Sequence, residues 1–266
     1  MSNAMPDTSD ATLIRIQDHG PVRVLTLANP ARRNALSRAM IAQVQAALEA
    51  VRVDSAVRVL VVNAEGPAFS AGHDLKEINA ARGEADGGKA FFAALMAECA
   101  AMMMMLRALP QPVIAAVETV ATAAGCQFVA SCDLAVAGEQ ARFATPGVNI
   151  GLFCSTPMVA LSRNVSNKHA MEMLLTGEMI DAPSAHRFGL VNRVVPEGQA
   201  LYNALELAAL IASKPPVTLK IGKEAFYRQK EMTLEDAYGY AAEVMVENLL
   251  HREAVEGIGA FVKPKG

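Results

Sequence analysis

Phe69-Ser70-Ala71-Gly72-His73-Asp74 and, further along, Ala123-Ala124-Gly125-Cys126-Gln127 decide how this chain is read. Each is a small-residue turn that follows an apolar, β-branched run, Val57–Val62 before the first and Pro112–Val117 before the second. Runs of that kind mark strands buried on both faces. A helical pattern follows each turn, beginning near Asp74 and near Gly125. A helix N-terminus leaves backbone N–H groups unpaired and carries the positive end of the peptide dipole, so it favours developing negative charge. Two such ends on adjacent strands can converge on one carbonyl oxygen and stabilise its oxyanion form. Small residues at strand-to-helix turns also occur in many α/β proteins without such a role, so periodicity alone leaves both readings open.

Outward from these turns, Thr12–Ile16 and Val22–Leu27 flank His19-Gly20 as a hairpin. Ser37 is placed to cap a helix running to about Val51, with Met40, Val44 and Leu48 on one face. A long helix is expected from about Lys89 to Leu109, ended by Pro110. Further strands are expected at Asp133–Ala137, Arg142–Ala144 and Val191–Val195, and at least three helical pieces from Gln199 onward. Strands alternating with helices, then helices alone, give a mixed α/β core with a helical C-terminal region. Met1-Ser2-Asn3-Ala4 before a second Met5 reads as a cloning remnant, residues 1–4.

The chain has 266 residues, 52% of them hydrophobic and 19% charged, which suits one large buried core with an extension. A net charge of −3 with scattered Lys and Arg gives no footprint for nucleic acid. No run is read as approaching the ~20 apolar residues of a membrane span, and none as a signal peptide, so no membrane partner and a cytoplasmic location are expected. Cys99, Cys126, Cys132 and Cys154 lack CxxC spacing and read as buried free thiols. His19, His73, His169, His186 and His251 lack ligand spacing, so no metal is expected. Gly83 to Lys89 matches a phosphate-binding loop up to its lysine. Ala90 then stands where a Ser or Thr must hold magnesium, and no strand precedes it. No GxSxG elbow and no strand-borne GxGxxG are present.

Several motifs in order are similar to those of the crotonase (enoyl-CoA hydratase/isomerase) superfamily. They are Leu25 to Pro30 with Arg33-Asn34-Ala35-Leu36, Ser70 to Glu77, Pro112 through Cys126, Ala185 to Val195, and Glu256 to Phe261. The resemblance covers nearly the whole chain from about residue 12. It implies a ClpP-like spiral of ββα units over residues 5–198. A C-terminal helical trimerisation region over 199–266 would assemble a homotrimer or a dimer of trimers. It implies an acyl-CoA substrate, with coenzyme A as part of the thioester and no covalently bound cofactor, in lyase or isomerase chemistry of acyl-CoA or fatty-acid metabolism. By the same carry-over, the backbone N–H groups of His73 and Ala124 form the oxyanion hole. Backbone around Ala71, His73 and Leu75 would hold the adenine, Arg32 or Arg33 would lie near the CoA phosphates, and Phe261 and Lys263 would reach a neighbouring subunit's ligand.

Two departures qualify the resemblance. The positions of a hydratase's two catalytic glutamates read Gln127 and Gly147. Gln127 can hydrogen-bond a water but is no base near neutral pH, and Gly147 has no side chain. A general acid or base typically contributes ~10²–10⁴ in rate, so efficient hydration by the usual route is not expected. His73 carries an imidazole of suitable ordinary pKa, but its family role is a backbone donor and its side chain is expected to face solvent or phosphate. Asn149 and Ser155 suit turns and caps. Cys154 suits a packed thiol, and Met102–Met105 suit core packing. Three readings stay open: an acyl-CoA lyase or isomerase, a decarboxylase relying on the oxyanion hole alone, and a non-catalytic acyl-CoA-binding protein.

Overall fold

A computed structural model describes residues 11–263; the expected remnant at residues 1–4 lies outside the described residues. β1 (Ile14–His19) and β2 (Val22–Leu27) form the expected hairpin, turning at Gly20 with φ +60. Ser37 then caps α1 (Arg38–Val53), its side-chain oxygen accepting from the Met40 N–H. The next three turns of chain share one plan. β3 (Val59–Ala64), β4 (Ala68–Ser70) and α2 (Leu75–Ala81) make the first, extended by α3 (Lys89–Ala108). β5 (Val113–Val117), β6 (Val120–Thr122) and α4 (Ala124–Ser131) make the second. β7 (Leu134–Gly138), β8 (Arg142–Ala144) and α5 (Ser155–Leu161) make the third. α6 (Asn167–Thr176), β9 (Ile180–Asp181), α7 (Ala182–Phe188) and β10 (Arg193–Val195) close the core.

Each turn contributes one strand to each of two sheets. The six-stranded sheet runs β1-β2-β3-β5-β7-β10, parallel from β2 onward, and the four-stranded sheet runs β4-β6-β8-β9. This is the α/β crotonase spiral. Of the second sheet, only β8 was legible in the sequence, as the strand expected at Arg142–Ala144; β4, β6 and β9, of two or three residues, are too short to show alternation.

The β-branched runs are continuous because both sheet faces are covered. On β3, Leu60 and Val62 enter the main core, while Val59 and Val61 enter a second cluster with Ala204, Ala208 and Ala212. Those alanines lie on α8 (Ala200–Ala212), one helical turn apart, so the helix can lie close on the sheet. α9 (Pro216–Gln229), α10 (Leu234–Leu250) and α11 (Arg252–Val262) follow and bury no residue fully.

One buried cluster ties this C-terminal region to the spiral. Lys223 on α9 pairs with Asp133 at 2.7 Å and donates to the carbonyls of Leu106 and Gln111. The Tyr227 hydroxyl donates to the other oxygen of Asp133 at 2.8 Å. Burial pulls the Lys223 pKa down against the pull of Asp133, and pushes that of Tyr227 up.

α3 corrects one expectation. An 18-residue window of this 20-residue helix has a mean hydropathy of 1.6, so among the described residues one helix is long and apolar enough to cross a membrane. Its stripe of Leu95, Cys99, Met102, Met103 and Leu106 is instead buried, in contacts with α1 and α4.

Candidate active site

The first turn leaves β4 and is stitched to the loop after β2. Ser70 Oγ donates to the Asn34 carbonyl at 2.8 Å, and Ala71 N–H donates to the Arg33 carbonyl at 3.0 Å. His73 bridges Leu36 in parallel fashion, with Leu36 N–H donating to the Gly72 carbonyl. In a parallel bridge of that pattern the His73 N–H is not used, and it faces away from Leu36. Asp74 then caps α2, accepting from the Lys76 N–H at 2.9 Å while pairing with Arg32 at 2.7 Å.

The second turn leaves β6. Ala123 sits at φ 50, ψ −120, a left-handed conformation costly for a residue with a Cβ, and is held there by its N–H bond to the Ala144 carbonyl at 2.9 Å. Ala124 opens α4, so its N–H has no acceptor within the helix. Neither the His73 nor the Ala124 N–H enters the backbone bonds of turns and loops among the described residues.

Two glycines lock these turns together. Gly72 stands at φ +87, and a Cβ on it would lie 2.9 Å from Ala123 Cβ and 3.1 Å from Ala124 N. A Cβ on Gly125 would lie 2.2 Å from the Ser70 carbonyl oxygen. The backbones touch where only hydrogen atoms fit.

Beneath the joined turns opens a cavity of about 680 Å³. Ala71, His73, Ala123, Ala124 and Gly147 line it on the turn side, and Leu75, Ile78, Arg82, Phe92 and Met96 along α2 and α3. Residues of the segment 149–157, from Asn149 to Pro157, complete the lining. No Asp or Glu is among the lining residues. Of the sequence-derived candidates, the fold thus brings Ala71, His73, Leu75, Ala124 and Gly147 to one cavity.

Gln127 lies behind that surface, 5% exposed, with Oε1 buried and unpartnered. The place beyond Gly147 is already filled: a Cβ there would meet the Leu152 carbonyl oxygen at 2.4 Å and Cys154 Sγ at 2.9 Å. The Cys154 thiol is buried, and burial pushes its pKa up against the Gly147 N–H bond that favours the thiolate.

His73 differs from expectation. Its Nε2 is buried without a partner instead of facing solvent, and desolvation pushes its pKa down to about 4. The ring is neutral at physiological pH.

Asn149 and Ser155 reach the cavity wall, beyond a turn or capping role. In the methionine run, Met102 and Met103 are core residues while Met104 is 64% exposed. The cavity's methionine is Met96.

Arg32, Arg33, Phe261 and Lys263 are not among the lining residues. Arg32 is engaged by Asp74, Arg33 is exposed at φ 51, and Phe261 is 89% exposed on α11. Ile78, Arg82, Phe92 and Met96 escaped sequence reading. The i, i+3, i+7 spacing of Leu75, Ile78 and Arg82 was the available signal, diluted by the polar residues between them.

A sequence profile described as Enoyl-CoA hydratase/isomerase matches residues 17–265. The chain belongs to the enoyl-CoA hydratase/isomerase family. The mitochondrial enoyl-CoA hydratase domain-containing protein 3 of Rattus norvegicus is 44% identical over 257 residues, 97% of this chain and 84% of that protein. The solved structure of the human enoyl-CoA hydratase domain-containing protein 3 superposes with a TM-score of 0.89 at 43% identity, covering 96% of this chain and all of that one. A Mycobacterium smegmatis enoyl-CoA hydratase structure gives 0.90 at 46% identity, covering 95% and 96%.

These relatives overturn the cytoplasmic expectation. The rat protein and its mouse, frog and human counterparts are named as mitochondrial. The composition of a folded core does not report its compartment.

Proposed function

We infer that this family member holds an acyl-CoA thioester with its carbonyl oxygen between the backbone N–H groups of His73 and Ala124. The two donors stabilise a thioester enolate, and the proton-transfer half of classical hydration is absent. The observation that carries this is the interlock of Gly72 and Gly125, which sets two strand-to-helix turns in backbone contact above one apolar cavity. Donors fixed by the fold need no reorganisation as charge develops, which is where such a hole gains its effect. The wall of Leu75, Ile78, Phe92, Met96, Leu152 and Phe153 suits an acyl chain. The backbone around Ala71, His73 and Leu75, not their side chains, would hold the adenine, with Arg32 or Arg33 toward the CoA phosphates and Phe261 and Lys263 toward a neighbour's ligand. The exposed Leu234, Tyr238, Leu250 and Phe261 of the C-terminal helices suit a homotrimer or a dimer of trimers.

The chemistry follows from what lines the cavity. A neutral His73, a buried Gln127 and a filled space at Gly147 offer no carboxylate to activate a water. The absence of Asp and Glu from the lining also supports a second reading, decarboxylation, in which the departing carboxylate supplies the electrons that the hole receives as an enolate.

A panel of crotonyl-, malonyl- and methylmalonyl-CoA tests these readings. Slow or absent hydration with thioester binding is expected. Hydration at ordinary enzymatic rates would sink the claim that Gln127 and Gly147 disable the usual route. Release of carbon dioxide from the malonyl thioesters would favour the second reading. Binding without turnover of any thioester leaves a non-catalytic acyl-CoA-binding protein, and no binding of any CoA species defeats all three.

A further inference from the structure

The cavity wall is mostly apolar, with His73, Asn149, Ser155 and Thr156 as neutral polar groups and one charged side chain. Leu75, Ile78 and Arg82 fall at i, i+3 and i+7 of one helical run and present successive turns of α2 to the cavity. Arg82 is the C-cap residue and keeps helical backbone angles, so the run stays straight to that point. It carries the single fixed positive charge of the lining, since His73 is neutral.

Its guanidinium stands over the Phe92 ring, 5.6 Å from the centroid, and Phe92 lines the same end of the cavity. None of the ion pairs among the described residues includes Arg82. Asp86, in the loop that follows, spends its carboxylate on the N–H groups of Gly88 and Ala90. Arg82, an exposed residue that also lines the cavity, therefore keeps its donors free.

We propose that Arg82 selects acyl-CoA substrates whose chain ends in a carboxylate, gripping that group at the far end of the cavity from the paired turns. This rests on the reading that the thioester sits between His73 and Ala124. An ω-carboxylate entering an apolar wall unpaired is strongly disfavoured, whereas a planar guanidinium takes it through two parallel N–H bonds. Stacking on Phe92 leaves the guanidinium edge free for that contact.

The helix also acts as a ruler. From Leu75 to Arg82 the axis advances about 10 Å at ~1.5 Å per residue. An extended chain advances about 1.2 Å per bond, so a dicarboxylic acyl group of about eight carbons spans the distance. Arg32 and Arg33 precede the other end of α2.

The test measures binding of suberyl-CoA, octanoyl-CoA and free CoA to the wild-type chain, Arg82→Gln and Arg82→Lys by titration calorimetry. The proposal expects the suberyl-to-octanoyl affinity ratio to fall about tenfold in Arg82→Gln and to recover in part in Arg82→Lys, which keeps the charge without the fork. It also expects succinyl-CoA, whose carboxylate cannot reach, to show a smaller dependence. An unchanged ratio overturns the proposal and leaves Arg82 a solvated side chain resting on Phe92. Equal weakening of suberyl-CoA, octanoyl-CoA and free CoA overturns it by placing Arg82 on the CoA phosphates. Failure of every CoA species to bind the wild-type chain would instead refute the acyl-CoA reading on which it stands.

Discussion

Gly125→Ala tests the lock between the two turns with the smallest side chain available. The added Cβ would lie 2.2 Å from the Ser70 carbonyl oxygen and 2.8 Å from its carbon. An unstrained C···O contact is about 3.3 Å, so the strand end and the helix start must part by about 1 Å. The obstacle is backbone, and no flexible side chain can turn aside. Overpacking of this kind costs about 1–3 kcal/mol, against a gain of up to about 1 kcal/mol from replacing glycine in a helix. At roughly 2–4 °C per kcal/mol for a chain of this size, the melting temperature should fall by a few degrees.

The functional effect should be larger than the thermal one. A 1 Å misplacement of a positioned group can cost ~10² in turnover, and one lost hydrogen bond to the thioester oxygen costs about tenfold in affinity. Thermal unfolding beside calorimetric titration with a non-hydrolysable acyl-CoA analogue reads both quantities. Gly222→Ala is the control, because nothing lies within 4 Å of a Cβ there. It should raise stability slightly and leave binding alone. Wild-type melting and wild-type affinity in Gly125→Ala would refute the reasoning that the turns are locked in contact.

Restoring the carboxylates should fail: Gly147→Glu must displace the Leu152 carbonyl and Cys154 Sγ, so Gln127→Glu/Gly147→Glu is expected to be destabilised by about 1–3 kcal/mol and to stay far below ordinary hydratase rates on crotonyl-CoA, as followed by loss of the enoyl absorbance. For His73, the folded pKa of about 4 lies below the ordinary 6.5, so between those values the unfolded chain binds the extra proton. Stability should therefore fall as pH drops from about 6.5 to 4 by at most about 3 kcal/mol, and denaturant titrations across pH should show His73→Gln lacking that component. Lys223→Ala leaves Asp133 buried at 15% side-chain exposure without its cation, and should destabilise by about 3–5 kcal/mol, with chemical denaturation showing whether the C-terminal helices are released first.

How much the sequence revealed depended on the length of each signal. Val57–Val62 and Pro112–Val117 are long enough to announce buried strands, and Ser37 announced α1, whose cap forms as expected. β4, β6 and β8 are three residues each, and β9 is two; only β8 was read as a strand, and the sheet itself exists by pairing between distant segments that no local pattern carries. The two small-residue turns were legible as a pattern, whereas His73, Ala124 and Gly147 were singled out by the family resemblance; all three line the cavity. The apolar wall of the cavity was not legible, since Ile78, Phe92 and Met96 look like any helix face until α2 and α3 are folded beside the turns. Nor was the burial of the His73 ring, because desolvation is set by neighbours from several elements.

The central claim is that the His73 and Ala124 N–H groups share one thioester oxygen while no carboxylate attends the acyl chain. A crystal structure with a bound acyl-CoA tests it most directly. The account predicts the thioester oxygen within about 3.2 Å of both nitrogens, and no Asp or Glu oxygen within about 3.5 Å of the α- or β-carbon. A thioester oxygen bonded elsewhere, or a carboxylate brought against those carbons, would contradict it.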